Sequence, residues 1–352
     1  MPRLLFPTII VANVCISEMR GCMFQPLNKG DVVGVYSPSK PASVAAHARY
    51  LRGKQVLESL GLVVKEGSLT GKEDYYRSGT PKERALELNQ LLRDPEVKMI
   101  IPSIGGTNAN SILPYIDYEA FQQNPKIVVG LSDVTAILLA LYSKTGIPVF
   151  HGPSVTSTLG EFPPLVEDTI KYFKRMFMNE IQAPYDIPMS NLWSDDMVNW
   201  LEKTDDKKLY NNEWICVQKG KTKGRLIGGN VNTMYGTIGT EYFPIIEEGD
   251  LLLIEDTTKS AAVIEKNFAM LKLHGILDKV SGIILGKHEQ YDDMGTGRKP
   301  YEILLEQIDG RDIPILADFD SCHTHPLHSM PFGRQVELNA TEKKVTLVEN
   351  WL

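Results

Sequence analysis

Ser132 lies in Lys126-Ile-Val-Val-Gly-Leu-Ser-Asp-Val-Thr135, where an apolar, β-branched run meets Gly-x-Ser-Asp and passes directly into a helix-like stretch, Thr135 to Lys144. A strand that turns sharply into a helix exposes the serine hydroxyl and aims the first free N–H groups of the helix at whatever the hydroxyl attacks. That arrangement suits acyl transfer. The Gly-x-Ser-x-Gly pattern usual at such turns is incomplete, because Thr135 stands where its last glycine would be. The same residues also fit a plain helix start capped by Ser132 or Asp133.

A serine nucleophile needs a base within hydrogen-bond reach and a third group that holds the base in the correct tautomer. His323 is the candidate base. It sits in Asp318-Phe-Asp-Ser-Cys-His-Thr-His-Pro326, after the apolar strand Ile313 to Leu316, and loops leaving a buried strand are where site residues collect. A solvent-facing turn histidine is the alternative. For the third member, Glu255 closes the run Leu251-Leu-Leu-Ile254 and is followed by Asp256. A carboxylate ending an apolar strand is costly unless paired or exposed at the sheet edge, so a partner is expected. The other reading is a cap or first-turn acid of the next helix, for Asp256 more than for Glu255. The turn Ser103-Ile-Gly-Gly-Thr-Asn108 offers glycine N–H groups as oxyanion donors or phosphate ligands. Ser132 follows the very next strand, and the carboxyl ends of neighbouring parallel strands share a crevice.

Three other chemistries compete. His323-Thr-His325 with His328 nearby could present imidazoles to zinc, although His-x-His needs further ligands. Cys322 could act as a nucleophile, but side chains adjacent in sequence rarely meet as nucleophile and base. A nonhydrolytic protein could hold an anion at the Gly-Gly turn.

The elements that must position these residues alternate from Asp31 onward. Val32 to Tyr36 reads as a strand, Ala42 to Leu60 as an amphipathic helix, Leu62 to Glu66 as a strand, Pro81 to Leu92 as a helix and Val97 to Ser103 as a strand. Such alternation implies a parallel sheet covered on both faces. Helical pieces follow at Asn110 to Tyr115 and Tyr118 to Phe121, then the Ser132 unit and a strand from Ile147 to Phe150. Phe162 to Gly224, with Pro163-Pro164, Pro184, Pro188, Trp193 and Trp200, reads as a connecting or lid segment rather than core. A second α/β domain begins near Gly224. Gly228-Gly229-Asn230 breaks the chain, Asp250 to Ile254 and Val280 to Leu285 are strands, Ala261 to His274 is a helix, and Gln335 to Leu347 alternates like an antiparallel pair.

At 352 residues two domains are the natural expectation. The division expected is 1–22 as an upstream extension, 23–160 as the domain with the nucleophile, 161–224 as linker and substrate loop, and 225–352 as the domain with Glu255 and His323. Leu4 to Ile16 is apolar, but Pro7 and Asn13 interrupt it and no Ala-x-Ala site follows; it is too short to span a membrane. With 43% hydrophobic and 23% charged residues the composition is that of a soluble globular protein. A formal net charge of -7 without a Lys/Arg cluster argues against nucleic-acid binding. Cys15, Cys22, Cys216 and Cys322 show no Cys-x-x-Cys spacing. A reducing, cytoplasmic setting fits them best.

With Ser132, Glu255 and His323 in that chain order, the sequence resembles the LD-carboxypeptidase family of serine peptidases, and most of all its microcin C immunity branch. The segments that carry the resemblance are Gly34-Val-Tyr-Ser-Pro-Ser39, Ser103 to Asp117, Gly130-Leu-Ser-Asp-Val-Thr135, Gly228-Gly-Asn-Val-Asn232, Ile254-Glu-Asp256 and Cys322-His-Thr-His-Pro326. The resemblance implies an N-terminal parallel sheet sandwiched by helices and a smaller C-terminal α/β domain with a mixed sheet or barrel. It implies a Ser132, Glu255, His323 triad, oxyanion donors at Gly106 and Asp133, no cofactor, no resident metal and a homodimer. It implies a small peptidyl-nucleotide or peptide substrate, with Trp200 stacking an adenine and Asn232 and Lys259 touching the substrate; Trp193 is a further candidate. Microcin-type members cut the amide between a terminal aspartyl group and an adenylate-like phosphoramidate, and the parent enzymes cut an L,D bond in murein peptides. Here Ile104 and Thr107-Asn108 replace the Arg and Tyr-Gly that usually flank the parent Gly-Gly turn, which weakens the murein reading. A tryptophan in a Pro-rich connection can equally be a packing anchor.

Overall fold

The computed structural model describes residues 23–352 except 180, 200, 201 and 204; the extension expected at 1–22 lies outside the described residues. Its first sheet is built on Val/Ile-rich runs that are buried on both faces except at the edge strand Val63–Glu66. Strands Val63–Glu66, Val32–Tyr36, Val97–Pro102, Ile127–Gly130 and Val149–His151 lie side by side, all parallel. Helix Pro81–Arg93 starts where the sequence signals a start: Pro81 opens the first turn, and Thr80 and Glu83 cap each other's backbone N–H. The helix expected from Ala42 to Leu60 divides at Ala46, where φ is -134° and ψ 45°. The second piece, His47–Ser59, turns Arg49 and Gly53, one helical turn apart, onto the π-helical turn Val155–Leu159. A Cβ on Gly53 would sit 1.9 Å from the Val155 carbonyl oxygen, so only glycine permits that approach.

Among the described residues the second sheet has eight strands. Its centre, Lys221–Asn230, Leu251–Glu255, Gly282–Gly286 and Ile315–Phe319, is parallel, and antiparallel strands flank it. Gln335–Asn339 and Lys344–Leu347 form the expected antiparallel pair. Gly228 and Gly229 do not break the chain as the sequence suggested; they end a ten-residue strand with φ of +144° and +125°. A Cβ on Gly228 would lie 1.7 Å from the Leu253 carbonyl oxygen.

Two differences bear on the site. The stretch from 162 to 224 is not all connection. Helix Leu165–Phe177 buries Leu165, Val166, Thr169, Tyr172, Phe173, Met176 and Phe177, a helical spacing concealed by the prolines before it. Ile215–Gln218 forms an edge of the second sheet. The other difference is Met330–Phe332, which leaves the second sheet and pairs antiparallel with Val149–His151 at the edge of the first. The chain that carries His323 is therefore anchored in both sheets. Among the described residues no helix is long and apolar enough to cross a membrane.

Candidate active site

Strand ends from both sheets open on one cavity of about 410 Å³, which Ser132, Gly105, Gly106, Asp133, His323 and Asp256 help to line. Ser132 follows Ile127–Gly130 with φ +64°, left-handed backbone that a residue with a Cβ adopts at a cost, and helix Thr135–Thr145 begins three residues later. The capping alternative does not hold for Asp133. Its carboxylate reaches away from its own helix and accepts the N–H groups of Asn108 at 2.8 Å and Ala109 at 2.9 Å, tying the Gly-Gly turn to the serine turn.

Ser39 and Arg84 hold that Gly-Gly turn from behind. Ser39 Oγ accepts Thr107 N–H at 3.1 Å, and buried Arg84 donates to Asn108 Oδ1 at 2.7 Å and Pro38 O at 2.6 Å. The Gly105 carbonyl accepts Lys40 N–H at 3.2 Å, which turns the Gly106 N–H of the same peptide to the opposite side. Among the described residues neither the Gly106 nor the Asp133 N–H finds a protein acceptor. A Cβ on Gly105 would lie 3.0 Å from Ser132 Cβ and 3.2 Å from Asp133 N, so the turn packs directly on the serine.

Glu255 ends its strand with its side chain fully enclosed, and its partner is His323, Nδ1 to Oε2 at 2.5 Å. Burial disfavours the His323 cation, yet the Glu255 carboxylate, with Glu289 and Asp256 behind it, outweighs burial and raises the imidazole above its ordinary pKa. Burial likewise pushes Glu255 up, and His323 reverses this and holds it below the usual carboxylate range. Asn230 Nδ2 donates at 3.2 Å to both Glu255 Oε1 and Asp256 Oδ1. Burial and the Glu255 charge push Asp256 up to about 6. Ser132 Oγ and His323 share the cavity without a direct hydrogen bond; such bonds commonly tighten only around a substrate.

The competing chemistries are not assembled. His325 Nε2 faces Glu161 at 3.4 Å, and His328 Nε2 bonds to the Pro188 carbonyl at 2.7 Å, so the three imidazoles diverge. Among the described residues no group of three His, Cys, Asp or Glu is placed to hold a metal. Cys322 is enclosed, its thiol pushed up to about 12 by burial.

Asn232 and Lys259 line the cavity. Trp193 is not among the lining residues: its ring rests against Tyr210, centroids 5.4 Å apart, with Lys287 Nζ 5.4 Å over it. Trp200 lies outside the described residues. Sequence reading missed Glu161, Arg49, Lys207 and Glu289, all at the cavity wall. Their signal is weak: Lys207 belongs to the polar run Lys203 to Lys208, which reads as solvated, and the other three are single charged residues in a helix or loop.

Two α/β sheets that meet at a serine on a strand-to-helix turn are here the frame of a serine peptidase, as the family matches show. The chain belongs to the LD-carboxypeptidase family: residues 33–152 match its N-terminal domain and residues 223–338 its C-terminal domain. It is 46% identical over 329 residues to the microcin C7 self-immunity protein MccF of Escherichia coli, covering 93% of this chain and 96% of that protein. The solved structure of MccF in complex with aspartyl sulfamoyl adenosine superposes with a TM-score of 0.91 at 45% identity, covering 94% of this chain and 99% of that one. The murein tetrapeptide carboxypeptidase of Pseudomonas aeruginosa is 24% identical over 75% of this chain and 79% of its own length.

Proposed function

We propose that this protein is a serine carboxypeptidase of the microcin-immunity type, hydrolysing the amide that joins an aspartyl or peptidyl group to an adenylate-like nucleotide. The observation that carries the reading is the 46% identity to MccF over nearly the whole chain, against 24% to a murein tetrapeptide carboxypeptidase.

Ser132 Oγ attacks the scissile carbonyl while His323 Nε2 takes its proton, and Glu255 holds Nδ1–H and stabilises the imidazolium. The Gly106 and Asp133 N–H groups receive the oxyanion, a contribution of several kcal/mol in such sites. His323 then returns the proton to the leaving nitrogen, and water, deprotonated by the same imidazole, releases the acyl group from Ser132. Asn232 and Lys259 contact the substrate, Lys259 bringing positive charge near its phosphate or aspartyl carboxylate, and Trp200 stacks on the base. The enzyme works as a homodimer in the cytoplasm, where it protects the cell against aminoacyl-nucleotide toxins.

Turnover of a peptidyl-aspartyl-adenosine conjugate measured beside a murein tetrapeptide tests this. The conjugate is expected to be the better substrate and Ser132→Ala to be inactive on both. Turnover by Ser132→Ala near wild type sinks the mechanism; preference for the tetrapeptide moves the protein to the parent activity.

A further inference from the structure

Two neighbouring carboxylates, Glu255 and Asp256, are buried beside His323, and the charge of each favours its cation, yet it is Glu255 that bonds to the imidazole. The surrounding donors account for the choice. Asp256 is committed elsewhere: its Oδ1 accepts the Thr257 N–H at 2.9 Å and Asn230 Nδ2 at 3.2 Å, and its Oδ2 accepts Asn267 Nδ2, from helix Ala261–Leu273, at 3.2 Å. Glu255 Oε1 accepts Asn230 Nδ2 at 3.2 Å, which leaves Oε2 for His323 Nδ1.

The Asn230 amide is held so that its donors face the carboxylates. Its Oδ1 accepts both the N–H and the hydroxyl of Thr233, each at 3.0 Å, and so caps the short helix Val231–Met234. Its backbone is fixed as well. Asn230 stands opposite Glu255 in the parallel pairing of their strands, and its N–H is bonded to Thr135 Oγ1 at 3.1 Å. An amide NH2 carries two N–H donors. Among the described residues Glu255 Oε1 has no other protein donor, and a buried carboxylate oxygen left without one is costly enough to turn the group or to draw a proton onto it.

We propose that Asn230 is a positioning residue for the triad: by holding Glu255 Oε1 it fixes the carboxylate with Oε2 on His323. This rests on the Ser132, Glu255, His323 mechanism proposed above, and not on which amide is cleaved. Asn230 touches neither substrate nor the attacking hydroxyl in that scheme; it acts through Glu255.

Labelling of Ser132 by a serine-directed fluorophosphonate, which needs the triad but no nucleotide, is followed against pH in wild type, Glu255→Gln, Asn230→Ser and Asn230→Asp. Serine and aspartate each keep an oxygen that can cap Thr233. Neither replaces the amide, since the serine hydroxyl is one bond shorter and an ionised aspartate only accepts; should one variant fail to fold, the other is read. The maximal labelling rate per active site is expected to fall about tenfold or more in both, with the half-saturating probe concentration unchanged. In Asn230→Ser the acid limb of labelling moves to lower pH, the direction expected of Glu255→Gln, because the imidazole loses part of its carboxylate support. A merely structural role would reduce the amount of active protein and leave that limb in place. Wild-type rate and limb in the Asn230 variants, or a slower rate with the limb unmoved, while Glu255→Gln is slowed and shifted, overturns the positioning role and leaves the triad intact. If Glu255→Gln also labels like wild type, the triad reading fails and this inference with it.

Discussion

The Thr135 hydroxyl accepts a hydrogen bond from the Asn230 backbone N–H at 3.1 Å, joining the serine's helix in one sheet to the last residue of a strand in the other. Gly229 makes the approach possible, since a Cβ there would lie 2.6 Å from Thr135 Cγ2. Asn230 continues the connection through its side chain to Glu255, and Glu255 to His323. The departure from Gly-x-Ser-x-Gly at position 135 is thus a bridge between the two halves of the site.

Thr135→Val keeps the shape of the side chain but leaves a buried N–H without an acceptor. The variant is expected to lose about 1–3 kcal/mol of stability in urea unfolding and to lose turnover, as the two halves of the site separate. An unfolding midpoint equal to wild type would mean the bond contributes nothing.

His323 must be uncharged to accept the serine proton. Because its pKa is raised, the acid limb of kcat/KM is expected above the ordinary imidazole value of 6.5. In Glu255→Gln, burial acts with less opposition, so the limb moves to lower pH, and kcat falls about 10³-fold or more as the tautomer is lost. A pH–rate profile that keeps its limb in Glu255→Gln contradicts this pairing.

Burial pushes the Glu161 carboxyl up, and His325, Arg49 and Lys207 more than reverse it, to about 2 against an ordinary 4.5. A depressed folded pKa contributes stability that is present above the ordinary value and lost as pH falls from 4.5 towards 2. His325, the first of the groups that lower it, is itself pushed down to about 3 and so is uncharged over the upper part of that window, where Arg49 and Lys207 carry the effect. Wild type should therefore exceed Glu161→Gln in stability at pH 7, with the gap shrinking below pH 4.5 in denaturant titrations. A gap independent of pH would locate the effect in packing instead.

Cys322 packs its thiol against Thr324 Oγ1 at 3.2 Å and the Phe319 carbonyl at 3.5 Å. With the thiol pushed up to about 12, iodoacetamide at pH 8 is expected to leave Cys322 unlabelled in peptide mass maps and Cys322→Ser to stay active. Rapid alkylation accompanied by inactivation would return the cysteine reading to contention.

Local pattern made much of the architecture legible. The strands from Val32 to Gly130 announce themselves by runs of Val and Ile, and the start of Pro81–Arg93 by Thr80, Pro81 and Glu83. The proline pair before it hid helix Leu165–Phe177, although proline is also tolerated and favoured at a helix start. Trp193 and Lys207 show the opposite limit. A tryptophan reads as a stacking surface and a lysine as solvated charge until their neighbours are known, and here the tryptophan packs on Tyr210 while the lysine reaches an enclosed carboxylate.

The amino-acid order by itself determined which groups were available and where strands would end, because backbone conformation and apolar periodicity are local. Which groups meet was decided only by the tertiary structure. Glu255 and His323 are 68 residues apart in the chain and 2.5 Å apart in space, and Glu161 gathers partners from three separate segments. Such meetings depend on how two sheets are stitched together by Met330–Phe332 and sealed at Thr135. Packing over those distances has no counterpart in residue spacing.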